Sequence, residues 1–297
     1  VAGLVTAVAA FFVQRMIKPP RQRVWATPGD LGLAYEDVNF PAKDGVRLSG
    51  WFVPAKDGKR DGAAVILLHG WTWNRLGLTA DDMISELNGS RPVDLLRLAL
   101  ELHRDGYHVL LFDLRNHGES AAAPPVTFGW QEANDLLGAV AYLHGRSEVN
   151  QSRIGAVGFS LGANTILYAL PQTEHIKAAV VVQPTSLETY SRRYGAQMLG
   201  PLSLAAVPLT QAMYQAAGGL RFAALRPAFP AAGAGQTPVL YVQAEDDNWG
   251  SAQDVVQMAA KTPRGQSILV EGTHRYDGYQ YVVDHPKLVT DFLAENL

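Results

Sequence analysis

A five-residue run, Gly158-Phe159-Ser160-Leu161-Gly162, constrains this chain more than any other. It sits between a short apolar segment, residues 154–157, and a run of good helix formers, residues 163–170, closed by Pro171. Together they predict a buried strand, a sharp turn with a serine at its tip, and a helix entered at once. The two glycines have a physical reason. A hydroxyl thrust out of so tight a turn needs a strained backbone at its own position and no side chains two residues to either side. The helix beginning at Leu161 also points unpaired N–H groups, and the positive end of its dipole, at whatever meets that hydroxyl.

The segments around this turn predict the fold class. Residues 33–40 and 46–53 alternate loosely across an Asp44-Gly45 turn and read as an antiparallel hairpin. Residues 63–68 and 108–113 are apolar runs, as expected of strands covered on both faces. Helices are expected over 93–104, 130–144, 251–261 and 285–297, with further strands at 176–182, 238–243 and 267–270. Such strand–helix repeats predict an α/β fold, a mostly parallel sheet with helices on both faces. The pattern breaks over 185–237. That stretch reads as a small helical cap inserted between two strands, over the strand ends where such sheets bind ligands.

At 297 residues the chain can bury one large α/β domain, or two small ones. A net charge of -3 gives no electrostatic case for a nucleic-acid partner. With no cysteine, disulfides, thiolate nucleophiles and cysteine-ligated metals are excluded. The polar run Asp113-Leu114-Arg115-Asn116-His117-Gly118-Glu119-Ser120 has no metal-ligand spacing and reads as a satisfied turn, so no metal is expected. Residues 1–13 are apolar or small, and Arg15, Lys18, Arg21 and Arg23 follow. Thirteen helical residues span ~20 Å, short of the ~30 Å core of a bilayer. Residues 1–18 are therefore expected to be the tail of a membrane anchor or a signal sequence, leaving the protein membrane-anchored or secreted. If the segment spans, the basic cluster after it favours a cytoplasmic catalytic domain. Residues 19–32 read as a linker and 33–297 as the main domain.

A serine is a poor nucleophile at neutral pH unless a base takes its proton, and a buried carboxylate fixes the tautomer of that base. Among eight histidines, His274 alone sits in a glycine-containing loop straight after a late strand. His144 ends a helix, His175 precedes a strand and His285 starts a helix. The acid is one of the consecutive Glu245, Asp246 and Asp247. Asp247 is favoured, because the chain needs about three residues to turn back from the strand, and Asp246 comes next. His69-Gly70-Trp71 follows a central strand, which puts the Trp71 N–H opposite the Leu161 N–H as a pair of donors for an oxyanion. The His69 side chain reads as structural. Trp71, Trp73, Phe159, Tyr190, Tyr194 and Met198 are the candidate substrate-lining residues, and residues 71–92 are expected to wall the site.

Leu68-His69-Gly70-Trp71, the turn at Asp113, Gly158-Phe159-Ser160-Leu161-Gly162, Asp247 and Gly272-Thr273-His274 together resemble the α/β-hydrolase superfamily, in its serine esterase, lipase and peptidase group. The resemblance runs from about Tyr35 to the C-terminus. It implies an eight-stranded sheet, Ser160 as nucleophile, Asp247 as acid, His274 as base, and the Trp71 and Leu161 amides as the oxyanion hole. The position three residues before the acid, often glycine in the family, is Ala244 here. Nothing resembles the Gly-Gly-Gly loop of some lipases, which argues against a bulky tertiary-alcohol ester. The expectation is a cofactor-free serine hydrolase acting on a small-molecule carboxylic ester. A peptidase, amidase or thioesterase on the same triad is the alternative, and a non-catalytic binding module on this fold a third.

Overall fold

In the computed structural model, which describes residues 2–56, 58–80 and 89–297, eight strands form one sheet. They are β1 (Glu36–Pro41), β2 (Arg47–Val53), β3 (Ala64–Leu68), β4 (His108–Phe112), β5 (Ile154–Phe159), β6 (Ile176–Val182), β7 (Val239–Ala244) and β8 (Gly265–Val270). Their spatial order is β1-β2-β4-β3-β5-β6-β7-β8. The β1–β2 and β2–β4 pairs are antiparallel and the rest parallel.

The apolar runs become central strands because both faces of the sheet are covered. Along β3, Ala64, Ile66 and Leu68 enter one core, while Val65 and Leu67 enter the other. The first core is closed by α3 (Ala133–His144), α4 (Leu161–Ala169) and α7 (Ala252–Lys261). The second is closed by α2 (Leu95–Arg104), α8 (Arg275–Asp284) and α9 (Pro286–Asn296). Each large aliphatic side chain fully buried this way contributes ~1.5–3 kcal/mol. Ser251 caps α7 by accepting from the Asp254 N–H at 3.1 Å. Asp94 caps α2 in the same way, so that helix starts two residues later than its apolar pattern suggests. Val93–Asp94 instead pairs with Gly77–Leu78 in a short ribbon.

Between β6 and β7 the chain leaves the sheet and forms α5 (Leu187–Leu199), α6 (Ser203–Ala216) and shorter helical turns. The N-terminal residues fold as α1 (Ala2–Ile17), which packs against α6. Val5, Ala9, Val13 and Met16 form its buried stripe at helical spacing. Among the described residues no helix is long and apolar enough to cross a membrane.

The helix α8 was absent from the sequence pattern, because its Arg-Tyr-Asp-Gly-Tyr-Gln-Tyr-Val-Val-Asp sequence is rich in poor helix formers. Gly278 inside it is a packing requirement. A Cβ there would lie 2.5 Å from the side-chain amide of Gln183, which leaves β6 in the left-handed region at φ 55°.

Candidate active site

Parallel pairing puts the C-terminal ends of β3, β5, β6, β7 and β8 along one edge, and the loops that leave them converge. At the end of β5, Ser160 adopts φ 51° and ψ -107° and α4 begins at the next residue. The flanking glycines are needed for contact, not for flexibility. A Cβ on Gly158 would lie 2.5 Å from the Gly162 carbonyl, and one on Gly162 would lie 2.5 Å from the Leu68 carbonyl oxygen. No turn, loop or side-chain acceptor among the described residues takes the Trp71 or Leu161 N–H. Trp71 and Leu161 line the same pocket as Ser160.

His69 holds this arrangement from behind. It is fully buried, its Nδ1–H donates to the Gly70 carbonyl at 2.7 Å, and its Nε2 accepts from the Leu114 N–H at 3.0 Å. Burial pulls its pKa down to about 4, so the ring is neutral and structural. Burial, with His69 beside it, pulls His117 down to about 3. Below Trp71, the turn at Asp113 is closed by its own hydrogen bonds. Asp113 accepts from the Arg75 and Glu119 N–H groups at 2.8 Å each and pairs with the buried Arg75 guanidinium at 3.2 Å.

Both histidines have folded-state pKa values below the ordinary 6.5. Their contribution to stability is thus complete above pH 6.5 and lost as pH falls toward 4 and then 3. The urea midpoint is expected to drop over pH 6.5 to 4, with His69 alone costing on the order of 3 kcal/mol by the lower limit. A midpoint flat across that window would contradict the neutral, buried assignment.

The carboxylate at the end of β7 is Asp247. Asp246 and Glu245 are exposed, while Asp247 is 3% exposed. Its Oδ1 accepts from the Trp249 and Gly250 N–H groups at 2.9 and 2.8 Å. Its Oδ2 accepts from Gln243 Nε2 at 3.0 Å and from Arg275 Nη1 at 2.7 Å. The four acceptor positions of a carboxylate are thereby filled.

Here the structure departs from the expected relay. His274 is hydrogen-bonded to neither Ser160 nor Asp247; it is the N-cap of α8. Its backbone N–H donates to Asp277 Oδ2 at 2.8 Å and its Nδ1 accepts from the Tyr276 N–H at 3.2 Å. Its ring stacks on Tyr276 and meets Trp249 edge-on, at centroid distances of 5.4 and 5.0 Å. The next residue, Arg275, stands in the space between serine and carboxylate. It is 1% exposed, and its Nη2 reaches the Gln183 carbonyl and lies 3.4 Å from Ser160 Oγ. Burial pulls its pKa down, but Tyr279 and Asp247 beside it outweigh burial and raise it. Tyr279 is a second polar neighbour of the Ser160 hydroxyl among the described residues, and burial raises its pKa too.

Residues 65–291 match the model of the alpha/beta hydrolase family. The chain belongs to that family. Among curated relatives, this α/β hydrolase is 27% identical to the uncharacterized protein YfhR of Escherichia coli K12 over 156 residues, 52% of this chain and 49% of YfhR. It is 25% identical to the thiohydrolase aneE of Aspergillus aculeatus over 157 residues, 52% of this chain and 43% of that protein. The matches thus span about half the length of these relatives or less. Among solved structures, the esterase Pf2001 of Pyrococcus furiosus shares the fold with a TM-score of 0.72 at 23% identity, covering 94% of this chain and 99% of that one.

The cavity above Ser160 measures about 60 Å³, or about 550 Å³ when the open solvent at its mouth is counted. Of the residues expected to line it, Trp71, Trp73 and Tyr190 do so. Tyr194 lines an adjoining cavity. Phe159 does not; it is wholly buried in the second core beneath Trp73 and Tyr279, because the strand's alternation sends it to the α8 side. Met198 packs against that core from α5 and lines neither cavity. Of the stretch expected to wall the site, residues 81–88 lie outside the described residues.

Sequence reasoning missed Phe128, Asn164, Trp249, Arg275 and Tyr279, all of which line the pocket. Asn164 had a readable signal, lying one helical turn after Ser160. Its side chain donates to the Phe128 and Thr185 carbonyls at 3.1 and 2.9 Å and so ties the pocket wall to the cap entrance. Arg275 and Tyr279 had none, since their placement follows from an unpredicted helix.

Proposed function

We propose that this protein is a serine hydrolase of carboxylic esters, with Ser160 as nucleophile, His274 as base and Asp247 as acid. The observation that carries the reading is the Ser160 hydroxyl on its strained turn, lining a mostly apolar pocket together with Trp71 and Leu161. Neither side chain now nearest to Ser160 can act as its base. A guanidinium stays protonated, and a tyrosine whose pKa burial has raised is protonated at neutral pH. The base is therefore the imidazole one residue away. In the working conformer Arg275 withdraws from Asp247, and His274 gives up its capping contact and takes the vacated acceptor. Ser160 Oγ then attacks the ester carbonyl as His274 takes its proton. The Trp71 and Leu161 amides hold the oxyanion, the alcohol leaves with that proton, and water releases the acid.

The likeness to a named thiohydrolase favours a thioester as the second reading. Against a peptidase that grips a free amino terminus, no acidic side chain lines the pocket among the described residues. Glu188, the acidic residue at the start of α5, pairs with Arg226 in an exposed position. The test is labelling with a fluorophosphonate, mapped by mass spectrometry, followed by kinetics on nitrophenyl esters, acyl thioesters and aminoacyl nitroanilides. Modification at Ser160 and ester turnover above nitroanilide turnover are expected. Unmodified Ser160 would overturn the nucleophile assignment.

A further inference from the structure

The Ser160 pocket shares one apolar wall with a second cavity. Trp71, Phe128, Leu187 and Tyr190 line the first on one side and, on the other, the second, which measures about 50 Å³, or about 510 Å³ when the open solvent at its mouth is counted. The remaining walls of that cavity come from the cap helices, including Tyr194, Leu199, Val207 and Phe222, and from Phe12 and Met16 of α1. Its lining is overwhelmingly apolar, and the Thr210 hydroxyl there is already spent on the Ala206 carbonyl at 2.8 Å.

Helix α1 is built into this wall. Met16 is 4% exposed, and its carbonyl accepts from the Val126 N–H at 2.8 Å, two residues from Phe128. Phe12 meets Tyr194 edge-on at 5.9 Å, and Tyr194 stacks on Tyr190 at 5.4 Å. A continuous aromatic surface therefore runs from the serine to the N-terminal helix.

We infer that the second cavity is the subsite for the aliphatic acyl chain of the substrate, and that α1 forms its far wall and sets the chain length accepted. This rests on the ester-hydrolase reading and adds to it. An acyl group bonded to Ser160 has its carbonyl at the Trp71 and Leu161 amides, and its chain passes Trp71 and Tyr190 into a space lined by carbon. Burial of each methylene there favours longer chains until Phe12 and Met16 stop them.

The experiment measures kcat/KM for nitrophenyl acetate, butyrate, octanoate and dodecanoate with the full chain. The variants are Val207→Phe, which fills the cavity from a half-buried position, and Phe12→Ala, which opens its far wall. Leu204→Ser is the control, on the same helix as Val207 but 82% exposed. The octanoate-to-acetate ratio is expected to fall at least ten-fold in Val207→Phe. The dodecanoate-to-octanoate ratio should rise several-fold in Phe12→Ala, and neither should move in Leu204→Ser. Ratios unchanged in both cavity variants, with thermal unfolding showing them folded, would overturn the subsite while leaving the esterase reading intact. If either variant does not fold, labelling of the wild-type Ser160 by ethyl and decyl fluorophosphonates decides. Faster labelling by the decyl probe supports the subsite, and equal or slower labelling overturns it. No labelling by either removes both proposals.

Discussion

Replacing Ser160 with alanine is expected to lower kcat for nitrophenyl butyrate by at least about 10⁴-fold, leaving only what the amides and pocket supply. Stability should barely change. The hydroxyl's contact with Arg275 Nη2, at 3.4 Å, is marginal, and alanine meets the same backbone strain at φ 51° as serine does. Loss of turnover with an unaltered urea midpoint therefore isolates chemistry from folding. A Ser160→Ala protein that kept a tenth of its turnover would refute the nucleophile assignment.

The second large effect is at Asp247. Among the described residues, Asp247→Asn removes the only carboxylate paired with the buried Arg275 guanidinium. An uncompensated buried charge costs about 3–5 kcal/mol, so the urea midpoint should fall steeply. Turnover should fall as well, by on the order of 10⁴ if the carboxylate also orients the base. The two effects separate in Asp247→Asn combined with Arg275→Met. Replacing both partners with groups that need no counter-charge should recover most of the stability and none of the activity. Recovery of activity in the double variant would mean that Asp247 serves only to hold the arginine. Asp246→Asn, on an exposed neighbour, should alter neither measurement.

His274 and Arg275 show why part of the site could not be read from the chain. Neighbouring residues at a helix start point about 100° apart. Which of the two faces Asp247 thus depends on where α8 begins, and that start is fixed by contacts far away in sequence. The Gln183 side chain accepts no bulk at Gly278, and Arg91 pairs with Asp277. None of these contacts leaves a local signature, and three tyrosines, a glycine and two valines give α8 little helical propensity of its own. The exchange between the observed arrangement and the proposed working one is a change at this single helix end.

Elsewhere local chemistry was sufficient. Apolar runs flanked by turns could only be strands covered on both faces, and the glycines around Ser160 could only mark a backbone packed too closely for a Cβ. His69, set straight after a buried strand, read as a structural, hydrogen-bonded ring, and its burial in the structure keeps it neutral. The amino-acid order alone therefore marked the strands and the strained serine turn, because each leaves a pattern of apolar runs, turns and glycines that is local in sequence. Tertiary structure decided which side chain meets Asp247, whether Phe159 looks into the pocket or the core, and that the N-terminal helix lies against the cap. Those outcomes depend on how separate elements pack, and packing compares surfaces that the sequence holds far apart.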